Sequence, residues 1–139
     1  MKFVPLLLGL LLMLDVCVAR GADQSICNPG STISFFPNGQ LKSCPLKDSL
    51  EISGVKCNHF AEAAFYQTGE LRSCVLADFF NYEGISCNIY DRVSFYQSGL
   101  LESCNLASRT EMEGKTCDEL QPISFFENGK LKSCGTPKL

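Results

Sequence analysis

The chain has no tryptophan and a single histidine, His59, among its 139 residues. Its charge is nearly balanced, with 12 Lys and Arg against 15 Asp and Glu and a net charge of −3. Binding to nucleic acid depends on basic residues that neutralise phosphates, so the composition argues against a nucleic-acid partner. Anionic membrane surfaces are disfavoured for the same reason.

Long apolar runs are absent after residue 14. Residues 4–14 are apolar, Lys2 precedes them, and small residues lead to a plausible cleavage site after Ala19. This layout predicts a secretory signal peptide over residues 1–19. A membrane span needs about 18 apolar residues, and Asp15 ends the run too early, so we expect no membrane span. Cys17 leaves open a lipid anchor, although Val16 fits that signal poorly.

Self-similarity at a constant spacing of 30 residues is the main feature of residues 20–139. A fixed period of this size indicates a repeat architecture. We divide the domain into four units, about 27–56, 57–86, 87–116 and 117–134. The recurring positions are Cys27, Cys57, Cys87 and Cys117; Cys44, Cys74, Cys104 and Cys134; and Gly39, Gly69, Gly99 and Gly129.

Each unit contains a phrase that predicts a β-hairpin, because two short strand-like runs flank a turn ending in glycine. A two-residue type I′ turn needs positive φ at both central residues, which the β-branched threonine of the second unit resists. We therefore predict a three-residue loop at 37–39, a type I turn followed by a left-handed glycine in a G1 bulge. In this register Phe35 faces Leu41. Ile33 faces Ser43 on the same apolar face, and the second cysteine of the unit lies on the other, mixed face.

A third short strand is predicted between successive hairpins, where apolar and polar residues alternate. We expect the glycine that closes each of these stretches to permit a bend or bulge. The predicted fold class is therefore all-β, an antiparallel hairpin array of four units. The stretches contain Leu50 and Ile52, Phe80 and Tyr82, and Met112, and they close at Gly54, Gly84 and Gly114.

The eight cysteines of the predicted mature domain indicate disulfides and an oxidising compartment. Two pairing schemes respect the repeat, one within units and one that joins neighbouring units through Cys44–Cys57, Cys74–Cys87 and Cys104–Cys117. The array starts at Cys27, the first cysteine of a unit, and stops after Cys134, the second cysteine of a unit. This order favours bonds within units. Structural zinc needs closely spaced cysteine pairs, so no metal is expected. The scheme within units is Cys27–Cys44, Cys57–Cys74, Cys87–Cys104 and Cys117–Cys134.

Catalytic groups are scarce. A serine recurs before the second cysteine of each unit, but a nucleophile needs a base beside it, and His59 cannot serve four sites. We interpret His59 as a solvated loop residue. The acidic residues form no consistent pair, and no glycine-rich phosphate loop is present. We therefore predict that the protein is not an enzyme and takes no cofactor.

Exposed aromatic residues remain as candidates for binding, because such residues flanked by polar groups are typical of interaction sites. One recurrent aromatic of each hairpin would form a row on the second face of the sheet if the hairpins lie side by side. The alternative is that this row only covers the sheet. The candidate residues are Phe36, Tyr66, Tyr96 and Phe126 for the row, and Phe79 and Phe80 in the variable stretch.

The unit phrase, Phe-aromatic-x-x-Gly-x-Leu, resembles the bacterial variant of MORN repeats, in which a FYxNGKL phrase marks each β-hairpin. The resemblance covers residues 33–134 and is closest to cysteine-containing exported bacterial relatives, in which NGKLKSC phrases alternate with Gly-x-x-Cys. It implies a hairpin repeat fold. The period of 30 residues is longer than is usual for MORN repeats.

These features predict an exported, non-catalytic repeat scaffold of the periplasm or cell exterior that binds a protein or glycan along its sheet. An alternative is a small secreted inhibitor or effector that blocks a protein target with the loop around Phe79 and Phe80. A third hypothesis is a purely structural envelope protein.

Overall fold

A computed structural model describes residues 21–137 of the chain, and the predicted signal peptide with Cys17 lies outside them. The fold is an all-β hairpin array, as predicted, and one 3-10 turn at Gln24–Ile26 precedes the strands. Within the described range no helix is long and apolar enough to cross a membrane. The strands are β1 (Ser34–Phe35), β2 (Leu41–Pro45), β3 (Leu50–Ile52), β4 (Val55–Cys57), β5 (Glu62–Phe65), β6 (Leu71–Val75), β7 (Phe80–Tyr82), β8 (Ile85–Cys87), β9 (Arg92–Phe95), β10 (Leu101–Asn105), β11 (Thr110–Met112), β12 (Lys115–Cys117), β13 (Pro122–Phe125) and β14 (Leu131–Cys134).

The strands form two layers. Eight of them make one antiparallel sheet in the order β1-β2-β5-β6-β9-β10-β13-β14. The other six make three short hairpins, β3–β4, β7–β8 and β11–β12, each between two long hairpins along the chain. The short hairpins pack apolar side chains against the core, so they cover one face of the sheet and leave the other open. These side chains are Ile52, Phe80, Tyr82 and Met112.

The turn of each long hairpin has the predicted three-residue loop. The Phe36 N–H donates to the Gln40 carbonyl at 2.8 Å, and the Gly39 N–H donates to the Phe36 carbonyl at 2.9 Å. Gly39 has φ of 83°, a left-handed value that glycine adopts at little cost. The same two hydrogen bonds recur in the other three units. The prediction of a type I turn with a G1 bulge is confirmed.

The register beyond this turn differs from the prediction. Phe35 faces Leu41, as expected. Ser43 faces Ser34 and not Ile33, because the register shifts between these two pairs. The same shift occurs in the other three long hairpins. A second bulge is therefore built into every unit, one residue beyond the turn region.

This second bulge exchanges two positions between the faces of the sheet. Cys44 joins Leu41 in the buried core, and Ser43 lies on the open face. The prediction that the second cysteine lies on the mixed face was therefore wrong. The physical reason is the disulfide, because Cys44 must reach Cys27 in the layer that covers the core side of the sheet.

The stretch between long hairpins contains two strands and not one. The predicted strand is present at Leu50–Ile52, but Gly54 belongs to a two-residue turn and not to a bend or bulge. Ser53 and Gly54 have φ of 52° and 80°, as a type I′ turn requires. The strand Val55–Cys57 then ends at Cys57, the first cysteine of the second unit. The sequence signal for this hairpin is the dipeptide Ser-Gly or Glu-Gly between two short apolar runs.

Four disulfides connect the two layers, and all four lie within units, which confirms the favoured scheme. The Cα–Cα distances are 5.6, 5.7, 5.7 and 5.4 Å for Cys27–Cys44, Cys57–Cys74, Cys87–Cys104 and Cys117–Cys134. In units two to four the bond joins the last residue of a short hairpin to the long hairpin that follows. The four bonds are consistent with an oxidising, exported location.

The first unit has a different element in place of the short hairpin. Ala22 and Ile26 pack against the core there, and Cys27 forms the disulfide. The backbone of this segment approaches the turn of the second unit so closely that a Cβ on Gly69 would lie 2.6 Å from the Cα of Gly21. The segment therefore takes the place that a short hairpin has in the other units, but Phe35 of the first long hairpin stays 47% exposed.

Candidate binding surface

The predicted aromatic row lies at the turn end of the open face. Phe36, Tyr66, Tyr96 and Phe126 each directly follow the core phenylalanine of their unit, and successive strand residues point to opposite faces. The Tyr66 hydroxyl donates to the Phe95 carbonyl and the Tyr96 hydroxyl donates to the Phe125 carbonyl, both at 2.8 Å. Each tyrosine thus connects its own hairpin to the next one. These contacts give the row a structural role.

We expect Tyr66→Phe and Tyr96→Phe each to lower the free energy of unfolding by about 0.5–1.5 kcal/mol, because each removes one hydrogen bond between units. Denaturant unfolding measures this change. Tyr90→Phe is the matched control, since its side chain is exposed, and we expect a change within about 0.5 kcal/mol. Equal effects for all three variants would contradict the inter-unit role.

The pH dependence has a defined sign. Burial and the nearby Glu102 carboxylate raise the pKa of Tyr66 above 10.0, against the opposing effect of Arg72. The folded state therefore favours the neutral phenol, and this contribution is fully present below pH 10.0 and is lost as the pH rises through the raised pKa. Tyr66→Phe should remove this part of the alkaline loss of stability.

Cations lie over three of the four rings. Lys42 is 5.8 Å from the centre of the Phe36 ring, and Arg72 is 5.8 Å from the centre of the Tyr66 ring. Lys132 has the same distance to Phe126. The equivalent residue of the third unit is Glu102, and no cation lies over Tyr96 in the described chain. The three covered rings leave less of their faces for stacking on a ligand such as a sugar.

A shallow groove of about 450 Å³ crosses the centre of the open face. Its floor contains the recurrent serines, which face one another across strands, as Ser73 and Ser94 do. Its walls carry both signs of charge, from Lys42, Arg72, Glu62 and Glu102. Beside the groove, Arg92 donates to the Ser73 hydroxyl at 3.1 Å and lies 4.0 Å from the Glu62 carboxylate. The serines thus form a column of small matched side chains. The mixed charges give this groove no marked preference for ions of one sign.

His59 lies away from these serines. Its ring Nδ1 is 3.2 Å from the Ser49 hydroxyl, and its backbone N–H donates to the same oxygen at 3.3 Å. Both residues are exposed loop residues. The equivalent pairs in the next two units are Phe79 with Ile89 and Arg109 with Glu119, so the contact is not part of the repeat. The pair fixes one loop against another.

The structure contains a second row of exposed apolar residues, which the sequence patterns did not predict. Phe60, Tyr90 and Leu120 occupy equivalent positions, three residues after the first cysteine of units two to four. They are 66%, 68% and 61% exposed. They follow the short hairpins, so they lie at the end of the sheet opposite the long-hairpin turns. We call Phe60, Tyr90 and Leu120 the apolar row.

The backbone of the apolar row is strained. Phe60, Tyr90 and Leu120 have φ of 57°, 65° and 59°, in the left-handed region that residues with a bulky side chain rarely adopt. Their N–H groups donate to the carbonyls of Leu46, Leu76 and Leu106 at 2.7, 3.0 and 2.8 Å, which holds the conformation. The first unit has Gly30 at this position, with φ of 79°. Glycine at one of four equivalent positions was the available sequence signal.

The second predicted contact, Phe79 and Phe80, is divided between surface and core. Phe79 is 53% exposed in the loop before β7. Phe80 packs edge-on against Phe95, with ring centres 5.5 Å apart, and is partly buried. The Phe79 N–H donates to the Asp78 carboxylate, which lowers the pKa of that carboxyl together with Lys56. Phe79 alone is therefore available to a partner.

Comparison with known proteins finds no match to a family model, to a curated protein or to a solved structure.

Proposed function

We propose that this protein is an exported, non-catalytic repeat scaffold of the periplasm or cell exterior, and that it binds a partner protein through the apolar row. The observation that supports the proposal is the coincidence of exposure and backbone strain at Phe60, Tyr90 and Leu120. A left-handed conformation costs about 1–2 kcal/mol for a residue with a Cβ. Strained positions that persist in a fold are concentrated at functional sites.

The spacing of the apolar row suits an extended contact. Successive units are separated by two strands of the main sheet, so neighbouring members of the row are about 10 Å apart. Three apolar side chains at this spacing reach over a distance that one small molecule does not span. Large exposed apolar residues grouped on a soluble domain mark protein interaction sites.

A protein partner fits the row better than a glycan does. Sugars stack on flat aromatic faces, and Leu120 offers none. Phenylalanine, tyrosine and leucine bodies suit an apolar surface that is removed from water on binding. The aromatic row of the open face is a weaker candidate, because its tyrosine hydroxyls are engaged by backbone carbonyls and three of its rings carry cations.

Replacing the row by asparagine should raise stability. The triple variant Phe60→Asn, Tyr90→Asn, Leu120→Asn introduces a residue that tolerates left-handed φ better than other residues that carry a Cβ. We expect the free energy of unfolding to increase by about 1–2 kcal/mol in total. Denaturant unfolding measures the gain. An equally large loss would mean that the three side chains stabilise the fold and are not held at a cost.

Binding is tested by photocrosslinking in the native host. Benzoylphenylalanine in place of Tyr90 should give one discrete crosslinked protein, because this side chain is 68% exposed within the row. The matched control places the probe at Phe126, which is 49% exposed on the open face, and should not give that product. The asparagine variants at the other two row positions should weaken the crosslink. A product of equal strength from position 126 would move the binding surface to the sheet.

A second candidate function is that of an inhibitor or effector acting through Phe79. The exposed ring on a loop held by Asp78 and Lys56 is the observation that favours it. An inhibitory loop should be protected from limited proteolysis by its target at residues 77–79 alone. A scaffold should instead show protection at the row positions of several units.

A further inference from the structure

The first strand of the main sheet leaves part of the repeated core uncovered. Phe35 on β1 is 47% exposed, although it belongs to the same phrase and the same turn as its buried equivalents. Each equivalent lies on a strand that pairs with the preceding unit, whereas β1 pairs with β2 alone within residues 21–137. The equivalents Phe65, Phe95 and Phe125 are 1%, 5% and 6% exposed.

The last strand of the main sheet, β14, also leaves its core residues partly uncovered. Leu131 and Cys134 are only partly buried there. Within the described chain β14 pairs with β13 alone. The core at this edge is therefore open, as it is at β1. The equivalents in units one to three are all buried: Leu41, Leu71, Leu101, Cys44, Cys74 and Cys104.

Each outer strand lacks the pairing that connects one long hairpin to the next, which we call the joint. This joint occurs three times inside the chain. β2 pairs with β5, β6 with β9, and β10 with β13, always in the same register. In each joint a serine faces a serine or alanine, and the second cysteine faces the apolar residue at the start of the next hairpin. β14 carries the first half of this interface and β1 carries the second half.

We propose that β14 of one copy pairs with β1 of a second copy of this chain, so that copies associate head to tail. The occupant of each edge is inferred from the continuity with the three internal joints. In the internal register, Ser133 faces Ser34 of the second copy, and Cys134 faces Ile33 of the second copy. The inference goes beyond the proposed function, because neither edge contains a residue of the apolar row.

The charges on β14 do not oppose this pairing. Lysine on an edge strand often protects against association. Lys132, however, occupies the position of Lys42 and Arg72, and these residues lie on strands that do pair with a following hairpin. Its side chain lies over the Phe126 ring on the open face, away from the strand edge. The same position is therefore compatible with pairing.

One difference makes the joint between copies weaker than the internal joints. Leu46, Leu76 and Leu106, just beyond the second cysteines, are fully buried. Thr136 has the equivalent position in the last unit and is exposed. The joint between copies therefore lacks one buried leucine, and we expect the association to be reversible. A head-to-tail contact of this kind is heterologous, so each added copy leaves one free β1 and one free β14 until a ring closes, and the assembly grows with concentration.

Light scattering of the secreted protein tests the association. We expect the weight-average mass to rise with concentration between about 1 µM and about 1 mM, because the assembly follows mass action. Phe35→Glu should stay at the mass of one chain, and its thermal unfolding should show that the half-exposed substitution is tolerated. Phe79→Ser, a change of an exposed ring away from both edges, should behave like the original chain. A wild-type protein that stays at the mass of one chain throughout overturns the proposal.

Mixing distinguishes the head-to-tail arrangement from a symmetric pairing of two β1 strands. Phe35→Glu blocks only β1, so its free β14 should still cap a wild-type assembly. Added in excess, the variant should lower the average mass of the wild-type chains. If β1 paired with β1, the variant would leave wild-type dimers unchanged at a fixed wild-type concentration, which would overturn the proposed register.

Cysteine trapping then tests the register directly. Residues opposite each other on antiparallel strands have Cα atoms about 4.5–5.5 Å apart, within the range of a disulfide. Protein with Ser34→Cys mixed with protein with Ser133→Cys in a glutathione buffer should give the mixed dimer. Ser98→Cys, in an exposed turn, replaces Ser34→Cys as the control and should not. Linkage only between identical variants would contradict the proposal. The triple asparagine variant of the apolar row should assemble normally, so failure here and failure of the proposed function are separable.

Discussion

Phe65→Ala should destabilise the protein by about 3–5 kcal/mol, because it removes a fully buried ring from the core between the two layers. Phe65 is 1% exposed and lies on β5, which pairs on both sides. The remaining cavity has little chance to collapse, since a sheet and a layer of disulfide-bonded short hairpins surround it. Urea unfolding monitored by circular dichroism measures the loss.

The chain supplies its own control for this substitution. Phe35 occupies the equivalent position of the repeat and precedes a turn of the same geometry, but it is 47% exposed. We expect Phe35→Ala to cost about 1–2 kcal/mol at concentrations where the protein is a single chain. The difference between the two variants isolates the covering of the ring by the preceding unit. Equal losses would show that the phrase and not the neighbouring hairpin determines the contribution of this residue.

Replacing Cys57 and Cys74 together by alanine should lower the free energy of unfolding by about 3 kcal/mol, from the loss of a loop constraint alone. The bond links residues 17 apart in sequence and joins the short hairpin β3–β4 to β6. Both cysteines are buried, so the missing sulfur atoms add to the loss. Urea unfolding under non-reducing conditions is the measurement.

The pair Cys117 and Cys134 is the matched comparison. Its sequence separation is also 17, so the entropic contribution is the same, but Cys134 lies on the outer strand and is only partly buried. We expect the loss to be smaller by about 1 kcal/mol than for the internal pair. A loss below about 1 kcal/mol for the internal pair would mean that the layers stay together without the bond.

Much of the architecture followed from periodicity. The phrase around the recurring glycines predicted the loop with Gly39, and the recurring cysteines favoured bonds within units, and both features are present. Turn geometry is a local property of three or four residues, so sequence is sufficient for it. Pairing within units was favoured by the order of the cysteines, although sequence left the neighbour scheme open.

The errors lie where a residue responds to contacts distant in sequence. The second bulge is absent from the pattern of polar and apolar residues, because alternation at Leu41 and Ser43 suggests one continuous face. The need for Cys44 to reach the covering layer changes the face of the strand after that point. The apolar row was missed for a related reason, since a single phenylalanine in a loop does not reveal a left-handed backbone.

The candidate site was anticipated only in part. The sequence indicated the aromatic row of the open face, but it could not show that Tyr66 and Tyr96 donate to the next hairpin. Whether a recurrent tyrosine binds a ligand or a carbonyl depends on the distance to the neighbouring unit, and spacing in the chain does not contain that distance. Phe79 and Phe80 are adjacent in sequence, yet only the first is exposed, because Phe79 lies in the loop before β7 and Phe80 begins the strand that packs against Phe95.

The amino-acid sequence alone determined the hairpin character of the repeat and its turn chemistry, because these depend on local conformational preference and on the 30-residue period of the chain. The tertiary structure decided which face each cysteine takes, which aromatic rings connect units, and which apolar side chains remain in solvent. These features arise when two layers must bury one shared core and satisfy four cross-links at once. That requirement acts between residues far apart in the chain, and it determines which apolar side chains stay exposed on the surface.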